Sequence, residues 1–524
     1  MEHDSWFIAA TTKRIFDVPQ NPEYWFRRAD RLLRLGYPEL AAGDAKKACL
    51  LLEHALEYEE NSVGMKVRVA FDTFLQFEVE DEGKERMEPG QWVFHVKDCL
   101  TDLLRNTYRV LLKAVEFTLD PWEALHICQG AKIRFPDDEF FPQEFRVYKA
   151  QFEKARQTTR EEGHEGAEAN RQLIQGRVYL RQYPFMPLGY LRRSETLIRS
   201  LERELTAVSP KCKLARISGS NNPDVFSGPS DVLGVFASSD IAVGDCLFVD
   251  TTVVGATNTL LTPDEVICEA CCGTISPGGQ ETVSAECCSA VYCAKQCQTG
   301  ASISYHKVLC GKDFRWLSEA AKTANHVNHP GLDGLVWLRV LSVCVQGNCH
   351  PLEHPLLARL TPQYQSKTVD RWSYEWNVDV PIRILRQLGI DVWADHRFDT
   401  WVLLTVWARL INNRNVKMHH ERPVYGVNPL FSFFNHSCEP NATWKSSTGT
   451  STGGTTVEIT ATRAVRQEEQ IFISYCGGGA DGQGLNKDQR QEILMPWLSE
   501  ECSCSRCQRE TLQKSTRMST FPWS

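Results

Sequence analysis

Residues 268–310, CEACCGTISPGGQETVSAECCSAVYCAKQCQTGASISYHKVLC, constrain this chain more than any other stretch. They hold eight of the twenty cysteines, as Cys268-x2-Cys271, Cys287-Cys288, Cys293-x3-Cys297 and His306-x3-Cys310, with Cys272 as an extra thiol. Zinc takes four sulfur or nitrogen ligands at the corners of a tetrahedron, and each close pair supplies two corners. Four pairs therefore make two closed sites. So short a segment buries little apolar surface, and metal binding would supply much of its folding energy. No position is left open for a substrate, so these sites read as structural. Nine candidates compete for eight places, which leaves Cys271 against Cys272, and the use of Cys287 and Cys288, open.

The opening residues MEHDSWFIAATTKRIF lack a basic stretch followed by an apolar one, so no secretory signal is expected. In a reducing compartment clustered cysteines are explained by zinc better than by disulfides, and the expected location is nucleus and/or cytoplasm. No run of about 18 apolar residues predicts a membrane span. The net charge of -8 weakly favours basic partners such as histone tails and disfavours direct DNA binding, with solubility alone the plainer reading. With 524 residues, 42% of them hydrophobic, the chain has enough apolar material for several domains.

Residues 1–160 read as helical. Trp25, Ala29, Leu32 and Leu33 recur at helical spacing until Gly36, and Pro38 opens a second helix carrying Leu40, Ala41, Ala45, Ala48 and Leu52. Leu100, Leu103, Leu104, Leu111 and Leu112 mark another. Asp120-Pro121-Trp122-Glu123 predicts a capped start, with the glutamate completing a capping box, and 139–158 offers a further helix. Two such helix pairs, with LGYPELAAGDAKKA, resemble tetratricopeptide-type repeats; a plain helical bundle is the alternative. Cys49, Cys99 and Cys128 fall on apolar helical faces and read as core. Residues 79–90 and 157–170 read as polar loops. From about residue 212, short β-branched runs between Gly, Pro, Ser and Asn clusters predict small strands. Residues 446–456 predict a flexible hairpin loop, 477–486 another flexible stretch, and 470–475 a strand.

A second constellation is NHSCEPN at 435–441, followed by FISY ending at Tyr475 and by Cys502-x-Cys504-x2-Cys507. The tail of the cysteine cluster, VYCAKQCQ then HKVLC, resembles the MYND zinc finger. NHSCEPN and FISY resemble the motifs of SET-domain lysine methyltransferases. The ordered set of glycine segment, inserted finger, NHSC, SY and terminal CxCx2C resembles the SET and MYND domain protein-lysine methyltransferases over about residues 212–510. The helical N-terminus resembles fungal-type members.

The resemblance implies two interleaved zinc sites, Cys268, Cys271, Cys293 and Cys297 with Cys287, Cys288, His306 and Cys310. A third would join Cys438 to Cys502, Cys504 and Cys507, giving about three zinc ions. The cofactor would be S-adenosylmethionine, bound by Gly234, Asn412, Asn435, His436 and Tyr475, with Asn413 a near alternative to Asn412 and a structural helix-end amide an equal reading for both. Tyr475 would be the catalytic residue. The family's G-x-G has valine at 232, and its G-E-E/Q-I turn reads Glu468-Glu469-Gln470-Ile471 here, predicting a changed turn.

The chemistry fits such a site. A lysine amine must be neutral to accept a methyl group, and neutralising it at pH 7 costs about 4.6 kcal/mol. A narrow apolar channel offsets part of that cost by disfavouring the charged form. Tyr425, Phe431, Phe433 and Phe434 are candidate channel walls, with core packing the slightly favoured alternative for each.

The expected fold is multidomain α+β. An all-α, helical-repeat-like domain (1–160) and a helical linker (161–211) precede a SET-type β-fold (212–480). A MYND-type finger (268–310) and a helical insert (330–420) interrupt that fold, and a post-SET zinc segment (490–510) follows it. The expected substrate is a lysine in a flexible protein segment, histone or not. The helices or the finger would bind a protein partner, and no membrane is involved. The competing readings are a catalytically weak SET/MYND scaffold that recruits partners and a zinc-finger adaptor with a structural SET fold.

Overall fold

Helix start and stop signals order the N-terminal part of the chain. The Asn21 side chain accepts the Glu23 N–H at 3.1 Å and Pro22 occupies the first turn of the helix Pro22–Arg34. That helix ends where Gly36 adopts φ +77°, letting the N–H groups of Gly36 and Tyr37 return to Leu33 and Leu32 carbonyls at 3.0 and 2.9 Å. Trp25, Ala29 and Leu32 are thereby buried with Leu40, Ala41, Ala45, Ala48 and Leu52 of the helix Pro38–Glu57.

The computed structural model describes residues 2–57, 62–81, 88–161, 176–217, 232–257, 266–275, 282–321, 330–362, 370–419, 422–449, 454–476, 484–495, 497–498 and 501–519. It divides into two units, Met1–Phe185 with Val369–Leu404, and Met186–Thr368 with Thr405–Ser524. No helix among the described residues is long and apolar enough to cross a membrane.

The first unit continues with helices Ser62–Asp81, Pro89–Phe117, Pro121–Arg134 and Phe140–Glu161. The segments read as polar loops are thus partly helical: helix reaches Asp81, resumes at Pro89, and extends to Glu161. Their remainders, 82–87 and 162–170, lie outside the described residues. Asp120 caps its helix, accepting the Glu123 N–H at 3.1 Å, but Glu123 does not complete a capping box. Its carboxylate is drawn instead to Ser373 Oγ at 2.8 Å and the Glu375 N–H at 3.0 Å.

Two expected boundaries change. The stretch 330–420 is not one insert, because 369–404 belongs to the unit of the N-terminal helices. The reason is electrostatic. Asp399 receives Arg28 Nη2 at 3.0 Å and Lys47 Nζ at 3.4 Å, and Arg28 also holds Asp44 at 2.6 Å. All four are buried, and charges taken out of water must be paired. Trp25 lies under Lys47 and Arg28, its ring centroid 4.6 and 5.1 Å away. Nor is 161–211 uniformly helical: Gly176–Val178 pairs antiparallel with Asp370–Trp372, and only Leu188–Tyr190 and Glu195–Val208 are helical among its described residues after Glu161.

The second unit is built from short sheets. Cys212–Arg216 pairs with Leu233–Ala237, and Cys246–Thr251 with Gly454–Ala461, which pairs in turn with Ala442–Gly449. Val254–Thr257 joins Arg422–Val427 and Arg414–His419, so 414–419 is strand where helix was expected. The loop expected at 446–456 is mostly paired strand, from Ser446↔Val457 to Gly449↔Gly454; 450–453 lie outside the described residues. Asn435–His436 runs parallel to Phe472–Ile473. Leu201, Val235, Phe248, Phe434, Ile459, Ile471 and Ile473 share the core.

The cysteine-rich segment carries two-residue strand pairs and the helices Lys295–Ser304 and His306–Leu309. Arg339, from the helix Pro330–Gly347, fastens it: Nη2 donates to Glu269 O at 2.6 Å while the guanidinium covers the Tyr305 ring at 3.7 Å.

Candidate active site and metal centres

Two chain segments meet at the candidate active site. Asn441, last in NHSCEPN, behaves like a peptide group: Nδ2 donates to Gln470 O at 2.8 Å and Oδ1 accepts the Phe472 N–H at 2.7 Å. The Ser437 N–H donates to Ile473 O at 3.0 Å. Upstream, one buried carboxylate oxygen of Asp250 accepts the N–H groups of Leu430 and Phe431, both at 2.8 Å. Burial raises Asp250 to about 6 against these hydrogen bonds. The segment entering Asn435 is thus pinned before it meets the strand leading to Tyr475.

His436 is held at both ring nitrogens. Nδ1 accepts the Tyr475 N–H at 3.0 Å and Nε2 lies 3.2 Å from Cys438 Sγ. Burial, then the charge of Arg490, lowers His436 to about 4. The Tyr475 hydroxyl donates to Phe434 O at 2.8 Å, and burial pushes its phenol pKa up, so it remains protonated at neutral pH. Its ring centroid stands 5.3 Å from His436 and 6.3 Å from Trp497. Trp444 donates Nε1–H to Ser474 O at 2.9 Å and meets Phe431 edge-on at 5.4 Å.

Gly234 is adjacent. A β-carbon there would meet Gln470 Nε2 at 2.6 Å and Asn435 Nδ2 at 3.1 Å, so only glycine keeps that space free. Asn435 Nδ2 donates to Leu233 O at 2.9 Å, whereas the buried Gln470 Nε2 has no hydrogen-bond partner. Gln470 and Asn435 thus close on the bare backbone of Gly234, and Gln470 Nε2 is left as an unused donor, a feature that fits a polar cofactor. Asn412 is not held to these residues. Its Nδ2 donates to Thr361 O at 2.9 Å, and its buried Oδ1 is unpartnered; Asn413 shares Thr361 O at 2.8 Å.

Of the four aromatic candidates, three pack in the interior. Phe434 stacks on Phe248 at 5.3 Å, Phe433 lies under Arg193 at 5.5 Å, and Tyr425 under Arg414 at 4.8 Å. Phe431 remains partly exposed beside Trp444. Sequence reasoning missed Asp250, Trp444 and Trp497. Only Asn441, inside the motif, carried a visible signal.

Three groups converge, each with ligand atoms mutually within 4.8 Å: Cys268, Cys271, Cys293 and Cys297; Cys287, Cys288, His306 and Cys310; Cys438, Cys502, Cys504 and Cys507. Sulfurs about 2.3 Å from a tetrahedral zinc sit about 3.8 Å apart. The distances are 3.7 Å for Cys271–Cys293, 3.6 Å for Cys293–Cys297, 3.9 Å for Cys438–Cys502 and 3.6 Å for Cys438–Cys507. These are far beyond a disulfide's roughly 2.0 Å. His306 Nε2 stands 3.2 Å from Cys287 and 3.6 Å from Cys288, while Nδ1 meets Tyr292 OH at 3.1 Å. The tyrosine thus orients the ring from behind. Cys271, not Cys272, joins the first group. Cys272 adopts φ +60° and turns towards Gly255, where a β-carbon would lie 3.2 Å from its sulfur. The donor sets and spacings fit zinc in all three groups.

Comparison with known families agrees with this geometry. Residues 232–476 match the SET domain, which supports the SET family for this chain. SET domains are generally lysine methyltransferases that use S-adenosylmethionine. No curated protein matches the chain.

Proposed function

We propose that this protein transfers a methyl group from S-adenosylmethionine to the side-chain amine of a protein lysine, as a SET and MYND member of the SET family. The observation that carries the reading is Tyr475, whose hydroxyl is fixed on Phe434 O at 2.8 Å beside Asn435 and His436. The sulfonium donor, when bound, supplies an electrophilic methyl group. Gly234, Asn435 and Gln470 would take its polar edges, with Asn412 contributing through its free oxygen. Tyr475, protonated, would orient a neutral amine and need not act as a base. Phe431, Trp444 and Trp497 would exclude water from the amine's path, and positioning of this kind is most of what methyl transfer requires.

The three cysteine groups would each hold a structural zinc ion, those within 268–310 as a MYND-type finger. The substrate would be a flexible lysine segment, histone or not, in nucleus or cytoplasm. The fungal-type assignment and a partner-binding role for the tetratricopeptide-like N-terminal helices rest on their sequence pattern. Radiolabelled methyl transfer to histones and whole-cell extract tests the reading. Incorporation abolished by Tyr475→Phe is expected; equal incorporation by the variant would move the chemistry elsewhere.

Two departures favour a second reading as a catalytically weak scaffold: Val232 where glycine is usual, and Glu468 at φ +69° in the altered turn. Calorimetric titration with S-adenosylmethionine separates the two. Absence of binding would support the scaffold.

A further inference from the structure

We infer that Arg490 is the counter-charge of the Cys438, Cys502, Cys504 and Cys507 group. The inference rests on the proposed zinc occupancy of these four thiolates. A divalent ion bound by four thiolates carries two net negative charges, and charge held away from water is costly unless a partner offsets it.

Arg490 is 1% exposed. Its Nη1 donates to Leu485 O at 2.7 Å, and its Nη2 stands 3.7 Å from Cys507 Sγ and 2.7 Å from Glu510 Oε2. Glu510 is only partly buried, and an ion pair with it alone could form equally well at the surface. Burial of the guanidinium makes sense if the sulfurs are its main counter-charge. The neighbouring Gln491 faces the same group: Nε2 reaches Cys502 O at 3.1 Å and Cys507 Sγ at 3.7 Å, and Oε1 accepts the Cys502 N–H at 2.8 Å. Both lie on the helix Lys487–Leu494, whose first turn is set by a capping box between Asn486 and Gln489.

The group in turn touches the active site. Cys438 Sγ lies 3.2 Å from His436 Nε2, and His436 Nδ1 holds the Tyr475 N–H at 3.0 Å.

The test uses the full chain. Zinc is counted by native mass spectrometry, and its release is timed with a chromophoric pyridylazo chelator. Cysteine alkylation mapping identifies the group that opens. In Arg490→Met, one ion should escape about 10–100-fold faster than in wild type, with alkylation at Cys438, Cys502, Cys504 and Cys507. Arg490→Lys, which keeps the charge and loses the fork, should stay close to wild type. Unchanged release in Arg490→Met would overturn the inference, as would Arg490→Lys releasing as fast as Arg490→Met. If Arg490→Met does not fold, Glu510→Gln decides. Freeing the guanidinium from its carboxylate should slow release from the same cysteines, and faster release overturns the idea. Wild-type protein with no ion at these four cysteines would refute the zinc reading itself, a result visible without any variant.

Discussion

His436 accepts the backbone N–H of Tyr475 on Nδ1 at 3.0 Å. A backbone N–H can only donate, so the neutral ring carries its proton on Nε2, which faces Cys438 Sγ at 3.2 Å. One imidazole therefore joins a candidate metal ligand to the candidate catalytic tyrosine.

Removing the Tyr475 oxygen should separate chemistry from binding. Tyr475→Phe loses one hydrogen bond, to Phe434 O, and should fold. Turnover should fall about a hundredfold or more, equivalent to roughly 3–4 kcal/mol for one preorganised polar contact in a dry site. Calorimetric affinity for S-adenosylmethionine should hardly change, since Gly234, Asn435 and Gln470 are untouched. Near wild-type turnover would remove Tyr475 from the mechanism.

Native mass spectrometry should find three zinc ions per chain. The ions should not leave together. Cys287 is exposed and its group's other members are half-buried, whereas the Cys268 group is wholly buried. Mild chelation should empty the His306 group first. Release beginning at the Cys268 group, or a fully folded protein containing no zinc, would contradict the assignment.

Asp399→Asn should leave Arg28 and Lys47 buried without enough counter-charge. The expected cost is roughly 3–5 kcal/mol at pH 7, read as lost hydrogen-exchange protection in the helices Pro22–Arg34 and Pro38–Glu57. Burial alone would raise the Asp399 pKa, but Arg28 and Lys47 bring it down from 3.8 to about 2. A carboxylate lowered in the fold stabilises above its unfolded value and loses that contribution as pH falls towards the folded one. The gap between wild type and variant should therefore shrink between about pH 4 and pH 2. A gap independent of pH would mean that packing, not charge, is lost.

Glu468 occupies a left-handed backbone position, φ +69°, of the kind glycine adopts without strain. Such a residue costs roughly 1–2 kcal/mol, while its exposed pairing with Lys213 contributes about 0–1 kcal/mol. Glu468→Gly should thus melt no lower than wild type. Glu468→Ala, which keeps the strain and drops the pair, should melt lower than Glu468→Gly. Glu468→Gly melting below wild type would show that the pair with Lys213 outweighs the strain.

Local chemistry was legible in the sequence. Pro22 and Gly36 marked helix ends, and the cysteine pairs marked three groups, because ligand spacing and capping act over a few residues. Cys271 and Cys272 could not be told apart, since the choice depends on the positive φ of Cys272 and the space beside Gly255. Channel wall and core stayed open for Tyr425, Phe433 and Phe434, because composition does not say which side of a segment meets the interior. The transfer of 369–404 to the helical unit was hidden for a similar reason. Asp399 is one acidic residue among many until Arg28 and Lys47 are found opposite it.

That same Asp399 lies 371 residues beyond Arg28. During synthesis at about 5–20 residues per second, the N-terminal helices would emerge from the ribosome more than roughly 20 s before the carboxylate that completes their interior. Throughout that interval Arg28 and Lys47 outnumber Asp44, and the apolar faces around Trp25 lack their last covering segment. The nascent chain is therefore a natural client for a holding chaperone, and truncated translation products ending before residue 399 should be preferentially degraded.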